Sequence, residues 1–155
     1  VNSGIGGMQI ACSGPTLTIT NNTITNNCTL PGGAGINVGA ATTNGYGMVV
    51  RDNTVESCRG SMVLQYRDNV EISGNTFKDG GSETRYGMHV QDANNITVKN
   101  TRVEGLQLWS GILLLQNIDM FTVTSDVCIM GASERVKNTN NNVTNVMIEP
   151  PLPGC

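Results

Sequence analysis

Short apolar pairs recur along this chain at a nearly constant spacing. In five segments a glycine or serine is followed by an apolar, a variable and a second apolar residue, the alternation expected of a strand with one buried face. These segments begin 28, 26, 26 and 24 residues apart, and a sixth follows after 34 more, which would require an insertion near residues 131–142. The segments begin at Gly7, Gly35, Ser61, Gly87, Gly111 and Asn145.

Two further apolar clusters follow at similar offsets in each of the first five repeats, separated by turn residues. In the first repeat they are Leu17 with Ile19, and then Ile24. Three clusters per repeat predict one circuit of a three-sided coil, and stacked circuits bring equivalent residues to about 4.8 Å from each other. In the fifth repeat the offset assigns Cys128 to the inward position of Ile24.

Asparagine recurs at one bend of the predicted coil. Asn22, Asn53 and Asn75 lie three residues after the second apolar pair, and Thr101 and Asp126 have this position in the later repeats. An amide at a bend can bond to its own turn and to its equivalent in the next coil. Asparagine also tolerates the left-handed backbone that sharp bends require. We therefore expect the three asparagines to form a structural ladder.

Two motifs, LTITNNTI at residues 17–24 and VEISGNTF at residues 70–77, are similar to the repeats of a known family. With them the chain resembles the right-handed parallel β-helix family, in particular its pectate-lyase-like and NosD-like repeats, over about residues 7–130. The resemblance implies an all-β protein, a right-handed parallel β-helix of about five to six coils. An antiparallel β-sandwich is the alternative, although a sandwich does not require matched circuits.

We expect a single β-helix domain over residues 1–155, with a proline-rich tail at residues 149–155. The chain starts with Val1 and shows no charged and apolar leader pattern, so we expect a mature product or a fragment of a larger protein. A short solenoid has two open ends that expose strand edges unless they are capped or continued. We therefore expect a segment of a larger extracellular, cell-surface or virion-associated assembly.

Charge and hydropathy exclude two classes of function. The net charge is −3 and only 14% of residues are charged, so the basic patch of a nucleic-acid-binding protein is not expected. The sequence has no run of 18 or more apolar residues, so we expect no insertion into a membrane. The abundance of Asn, Thr and Gly instead favours short strands and many turns.

One outward face of the predicted helix carries amides and a histidine. Gln65, His89 and Gln91 fall on outward positions of the first strands, and Tyr86 and Trp109 lie in neighbouring corner segments. Amides and aromatic rings suit a hydroxyl-rich ligand, so these five residues are the candidate contacts to a glycan. The alternative is that the two glutamines only stack on each other and that the aromatic rings cover the apolar rim of a corner.

Catalytic signals are sparse. Members of the resembled family include pectate and alginate lyases, epimerases, polygalacturonases and phage tailspikes, and its lyases typically use an Arg or Lys base. Arg67, His89 and Asp92 are the candidates for such chemistry, but the paired-Asp, Gly-His-Gly and Asp-Pro-His-Glu signatures are absent from the sequence. We therefore favour a protein without enzymatic activity.

No cofactor and no metal site are expected. His89 is the only histidine, and no Cys/His pair has the spacing of zinc ligands. Asp68, Asn94 and Asp119 share one turn position in three repeats, and a weakly bound Ca²⁺ there is the alternative.

Five cysteines leave the pairing open. Cys28 and Cys58 lie nine and eight residues after Ile19 and Val50 in adjacent coils, and they are the candidate disulfide if the chain is extracellular. We expect a buried free thiol at Cys128, whereas the pairing of Cys155 cannot be assigned from the sequence.

The function that these features favour is that of an extracellular or surface β-helix module with a structural or glycan-contacting role. Its partners would be a polysaccharide or glycan surface and other subunits of an assembly, including further copies of the chain. A polysaccharide lyase or epimerase acting on acidic glycans is one alternative, and a tailspike-like receptor-binding shaft is the other.

Overall fold

The computed structural model describes residues 7–11, 16–25, 34–39, 45–58, 60–79, 86–140 and 142–155. Of residues 57, 58, 79 and 106–108 it describes the backbone only. The predicted disulfide between Cys28 and Cys58 therefore lies outside the described residues.

The described residues form fifteen short strands and contain no helix. The six strands of the smaller sheet are β2 (Leu17–Thr20), β5 (Gly45–Arg51), β8 (Arg67–Ser73), β11 (Ala93–Lys99), β13 (Ile118–Val123) and β15 (Val143–Ile148). The nine strands of the larger sheet are β1 (Met8–Ala11), β3 (Thr23–Ile24), β4 (Ala34–Gly39), β6 (Thr54–Cys58), β7 (Gly60–Gln65), β9 (Thr76–Asp79), β10 (Tyr86–Gln91), β12 (Arg102–Leu114) and β14 (Cys128–Asn138).

Every strand pair among the described residues is parallel, which excludes the antiparallel sandwich and makes the fold an all-β parallel solenoid. The larger sheet contains two sides of the coil, because the first part of β12 pairs with β9 and its last part pairs with β10. The smaller sheet is the third side. Its six stacked strands are close to the predicted five to six coils.

The apolar positions stack in the predicted register. In the larger sheet Met62 lies opposite Ile36 on one side and Met88 on the other. In the smaller sheet Val70 lies between Met48 and Ile96 in the same way. These columns fill the interior of the coil, and the third column consists of Ile24, Val55, Phe77 and Val103, all of which are buried.

The last circuit begins earlier than the sequence pattern indicates. Val136 pairs with Ile112, whereas Val146 pairs with Phe121 in the smaller sheet. The sixth circuit therefore starts near Arg135 and not near Asn145, and no insertion separates it from the fifth. The sequence pattern does not show the first strand of this circuit, because the polar Asn138 has the position at which the earlier circuits have their second inward apolar residue.

The predicted alignment of the fifth repeat was wrong by one residue at its second bend. Cys128 pairs with Arg102, so Ile129 and not Cys128 has the inward position opposite Val103. A tight turn, in which the amide of Val127 donates to the carbonyl of Thr124 over 3.2 Å, accommodates the extra residue. Buried Val127, not exposed Asp126, precedes the strand here. Cys128 is nevertheless buried and free.

The three predicted asparagines form a continuous ladder of amides. Asn22 Nδ2 donates to Asn53 Oδ1, and Asn53 Nδ2 donates to Asn75 Oδ1, each over 2.9 Å. Asn53 also donates to the carbonyls of Ile19 and Arg51. Asn53 and Asn75 are almost completely buried, so these bonds satisfy backbone groups that water does not reach.

Replacing Asn53 by alanine should lower the free energy of unfolding by about 3 kcal/mol, because several buried donors and acceptors lose their partners. The same change at Asn22, which lies at the end of the ladder and is half-buried, should cost clearly less. Chemical denaturation of both variants measures the difference. Equal losses at the two positions would contradict the role of the central amide.

Left-handed backbone conformations also recur in columns. Asn69, Asn95, Met120 and Asn145 share one position in four successive strands of the smaller sheet, with φ between 49° and 56°. Asparagine is suited to this conformation, whereas other residues with a Cβ pay about 1–2 kcal/mol for it. Met120 is the exception in the column, and its side chain is half-exposed.

Replacing Met120 by asparagine should raise the free energy of unfolding by about 1 kcal/mol, because the strain is relieved and little packing is lost. Met120→Leu is the matched control, since leucine keeps both the strain and the apolar side chain. Thermal and chemical unfolding would measure the gain. A stability equal to that of the leucine variant would show that the backbone carries no such strain.

Candidate functional site

An open groove follows the corner where the larger sheet passes into the smaller one. Its volume is about 450 Å³. The strands of the smaller sheet start here, so side chains from successive circuits line the groove in parallel columns. The lining residues are Tyr66, Asp92, Asn94, Asn117, Ile118, Asp119, Asn142 and Thr144.

Asp92 accepts hydrogen bonds from several side chains at this corner. Gln91 Nε2 donates to its Oδ2 over 2.7 Å, and Asn117 Nδ2 donates to its Oδ1 over 2.5 Å. Gln116 donates to Oδ2 over a longer 3.4 Å, and the Tyr66 side chain also bonds to the carboxylate. Partial burial acts to raise the pKa of Asp92, but these four donors outweigh it and hold the pKa below its ordinary value.

A second column of polar side chains runs beside Asp92. Asp68 Oδ1 accepts from the backbone amide and from Nδ2 of Asn94, over 2.9 and 3.0 Å. Asn94 Oδ1 in turn accepts from the amide of Asp119 over 3.1 Å. Thr144 and Asn145 each donate to Asp119 Oδ1 over 2.7 Å, and these bonds lower the pKa of Asp119.

Together the two columns place carboxylate and amide groups at intervals equal to the distance between neighbouring circuits. Within the described part of the chain, no three His, Cys, Asp or Glu side chains cluster as they would around a metal ion. The Ca²⁺ alternative at Asp68, Asn94 and Asp119 stays a prediction. What the arrangement offers directly is hydrogen bonding to hydroxyl groups, since carboxylates accept and amides both donate and accept.

Tyr66 is one of the groove residues that the sequence analysis missed, together with Asn117, Ile118, Asn142 and Thr144. It lies in left-handed conformation at φ 56°, in one column with Asp92 and Asn117. A bulky residue in this conformation is uncommon and costs stability. The signal in the sequence was its position, since Tyr66 directly follows Gln65 just as Asp92 follows Gln91.

The two predicted glutamines lie together next to the groove. Gln65 Nε2 donates to Gln91 Oε1 over 3.3 Å, and Gln91 in turn holds the carboxylate of Asp92. The structure thus places Gln65, Gln91 and Asp92 in one hydrogen-bonded chain. The stacking interpretation and the binding interpretation both fit these two amides.

The aromatic candidates and His89 lie elsewhere. The rings of Tyr86 and His89 pack edge to face with centroids 5.3 Å apart. His89 is half-buried, and burial lowers its pKa below the ordinary value. Trp109 is 59% exposed. These three residues are not among those that line the groove.

Arg67 does not share a surface with the other catalytic candidates. The side chain of Arg67 is completely buried inside the coil, whereas the neighbouring Asp68 belongs to the column of polar side chains that runs beside Asp92. Gly45 pairs with Arg67 in the adjacent circuit, and a Cβ at Gly45 would lie only 2.3 Å from the guanidinium carbon. The fold therefore accommodates this charge internally, and a large substrate at the groove would not meet it.

Comparison with family models gives one match over residues 1–148, to the model described as right-handed β-helix region. The chain belongs to the right-handed β-helix family. This match confirms the predicted family and agrees with the parallel solenoid of the structure. Neither the curated proteins nor the solved structures gave a match.

Membership of the β-helix family supports a generic β-helix module but assigns no activity, since function depends on the site and not on the fold. Among the described residues that line the groove there is no arginine, lysine or histidine. Among the residues described, the structure contains no helix that is long and apolar enough to cross a membrane.

The lowered pKa of Asp92 predicts a pH dependence of stability. Because its folded pKa lies below the unfolded value, the stabilisation is present above the ordinary pKa and is lost as the pH falls through the folded value. The difference in free energy of unfolding between wild type and Asp92→Asn should therefore be largest near neutral pH and shrink below about pH 4. Denaturation at several pH values measures it, and a difference independent of pH would contradict the prediction.

Proposed function

We propose that this β-helix protein is an extracellular or surface-exposed module that binds a neutral, hydroxyl-rich polysaccharide in the groove at Asp92. The supporting observation is the hydrogen-bonded cluster around that carboxylate, which presents fixed acceptors and amides to a groove open to solvent.

Preorganisation favours binding of a flexible glycan. Asp92 is held by Gln91 and Asn117, and Asp119 is held by Thr144 and Asn145, so these carboxylates have little freedom to lose when a ligand arrives. Equivalent residues of successive circuits stand about 4.8 Å apart. This spacing repeats along the groove, as sugar units repeat along a polysaccharide chain.

The charge of the groove favours neutral over acidic glycans. Asp92 and Asp119 both contribute to its lining, none of its described lining residues is basic, and the whole chain carries a net charge of −3. A uronate polymer would be repelled by these carboxylates. The same argument gives no support to a lyase or epimerase for acidic glycans, because such an enzyme needs cationic groups at the substrate and Arg67 is buried.

Tyr66 supports the proposal through its strained backbone. A left-handed tyrosine is retained at a stability cost where a small polar residue would fit better, and such strain is typical of functional sites. Its ring lines the groove, where it can pack against the apolar face of a sugar.

The proposed membership of a larger assembly rests on the edge strands of the described solenoid. β15 and β14 are the last strands of their sheets among the described residues. Such edges are aggregation-prone unless they are covered or continued. Other subunits, including further copies of this chain, are the proposed partners at these edges.

Asp92→Asn should weaken binding to neutral polysaccharides at least about tenfold, since a hydrogen bond to a charged acceptor is worth about 1.5–3 kcal/mol. The matched control is Glu71→Gln, which removes one carboxylate from the smaller sheet, where Glu71 pairs with Lys99 over 3.1 Å outside the groove. A polysaccharide array with neutral and uronate polymers gives the readout. Equal binding by both variants, or a preference for uronates, would contradict the proposal.

Tyr66→Asn should separate stability from binding. Asparagine fits the left-handed backbone, so the free energy of unfolding should rise or stay unchanged, while affinity for the same polysaccharide falls. Calorimetric titration and chemical denaturation of the variant measure the two effects. Unchanged affinity would remove Tyr66 from the site.

A further inference from the structure

The proline-rich tail that follows β15 is bound to the end of the solenoid. The amide of Glu149 donates to the carbonyl of Val123 over 2.9 Å, and the amide of Leu152 donates to that of Ser125 over 3.0 Å. The Glu149 carboxylate accepts from the amide of Ser125 over 2.8 Å. The tail therefore follows the turn at residues 124–127, which leads directly into Cys128.

Arg135 connects this tail to the turn. Its guanidinium donates to the carbonyl of Val127 over 2.7 Å and to the carbonyl of Glu149. The side chain is half-buried, so these bonds are protected in part from water. The Arg135 side chain thus links the tail, the turn and the start of the last circuit.

Cys128 is less accessible to solvent than the residue at the same position in the neighbouring strand. It pairs with Arg102, which is exposed, yet only 7% of Cys128 is accessible. The tail ends in a turn in which the amide of Cys155 donates to the carbonyl of Leu152 over 3.2 Å, and the side chains of Cys155 and Cys128 form a hydrogen bond. Burial, together with the neighbouring Cys155 thiol, raises the pKa of the Cys128 thiol. Both cysteines are free, and Cys155 is exposed.

We propose that Cys128 and Cys155 are a redox-sensitive pair, and that their disulfide fastens the tail to the turn at residues 124–127. The extra residue in the fifth repeat has a role in this arrangement. It moves Cys128 out of the inward column and onto the surface that the tail covers.

The chemistry is thiol–disulfide exchange with a small-molecule disulfide such as oxidised glutathione. The accessible Cys155 attacks first as the thiolate, which breaks the disulfide of the oxidant and releases one reduced thiol. Cys128 then loses its proton to solvent and attacks the Cys155 sulfur of the mixed disulfide, which releases the second reduced thiol. Two protein thiols are oxidised to one disulfide, and one oxidant disulfide is reduced to two thiols.

Peptide mapping tests the pairing directly. Trypsin releases Cys128 in the peptide 103–135 and Cys155 in the peptide 138–155, and each peptide contains a single cysteine. After incubation with oxidised glutathione and blocking of the remaining thiols, we expect a linked species of these two peptides that disappears on reduction. A bridge from Cys155 to Cys12, Cys28 or Cys58, or Cys155 found only blocked or glutathionylated, would overturn the proposal.

Thermal unfolding supplies a second readout that does not depend on the mapping. Closing a loop between Cys128 and Cys155 restricts the unfolded chain, so oxidation should raise the Tm of the wild type by several degrees. Cys155→Ser is the matched control, because it keeps the tail and the other four cysteines. An equal rise of Tm in wild type and variant would show that other cysteines cause it and would overturn the proposal.

Discussion

The in-register stacking of parallel circuits is the constraint on which the rest of this structure depends. Equivalent residues become neighbours in adjacent circuits. A polar side chain inside the coil can therefore form hydrogen bonds with the equivalent side chains of the circuits on either side. Asn53 does so by bonding to Asn22 below and to Asn75 above. A shift of one circuit by a single residue would turn every inward side chain outward and break this ladder. The amides and the apolar columns therefore specify the same register.

The same stacking produces the groove, with polar columns that face solvent instead of the interior. Buried amides of the ladder stabilise the fold, whereas Asp92 and Asp119 hold similar bonds at the surface, where a ligand can compete for them. Tyr66 introduces backbone strain into this column. This column thus deviates at Tyr66 from the residues that suit its backbone, at the place where recognition is proposed, as expected if local rules are broken mainly at functional sites.

The C-terminal end of the described chain is stabilised by different means. A cation, Arg135, bonds to backbone carbonyls of the turn and of the tail. The turn at residues 124–127 departs from the repeat and carries Cys128 to the covered surface.

Periodicity alone determined the parallel solenoid, the apolar columns and the positions of the asparagine ladder, because a repeated pattern reports directly on a repeated structure. It did not locate the sixth circuit, where Asn138 interrupts the apolar pattern, or the one-residue shift before Cys128. The burial of Arg67 and the groove position of Tyr66 were decided only by the tertiary structure. Whether a corner side chain faces inward or outward depends on the path of the backbone through the bend, and the alternation of strand residues does not extend into bends.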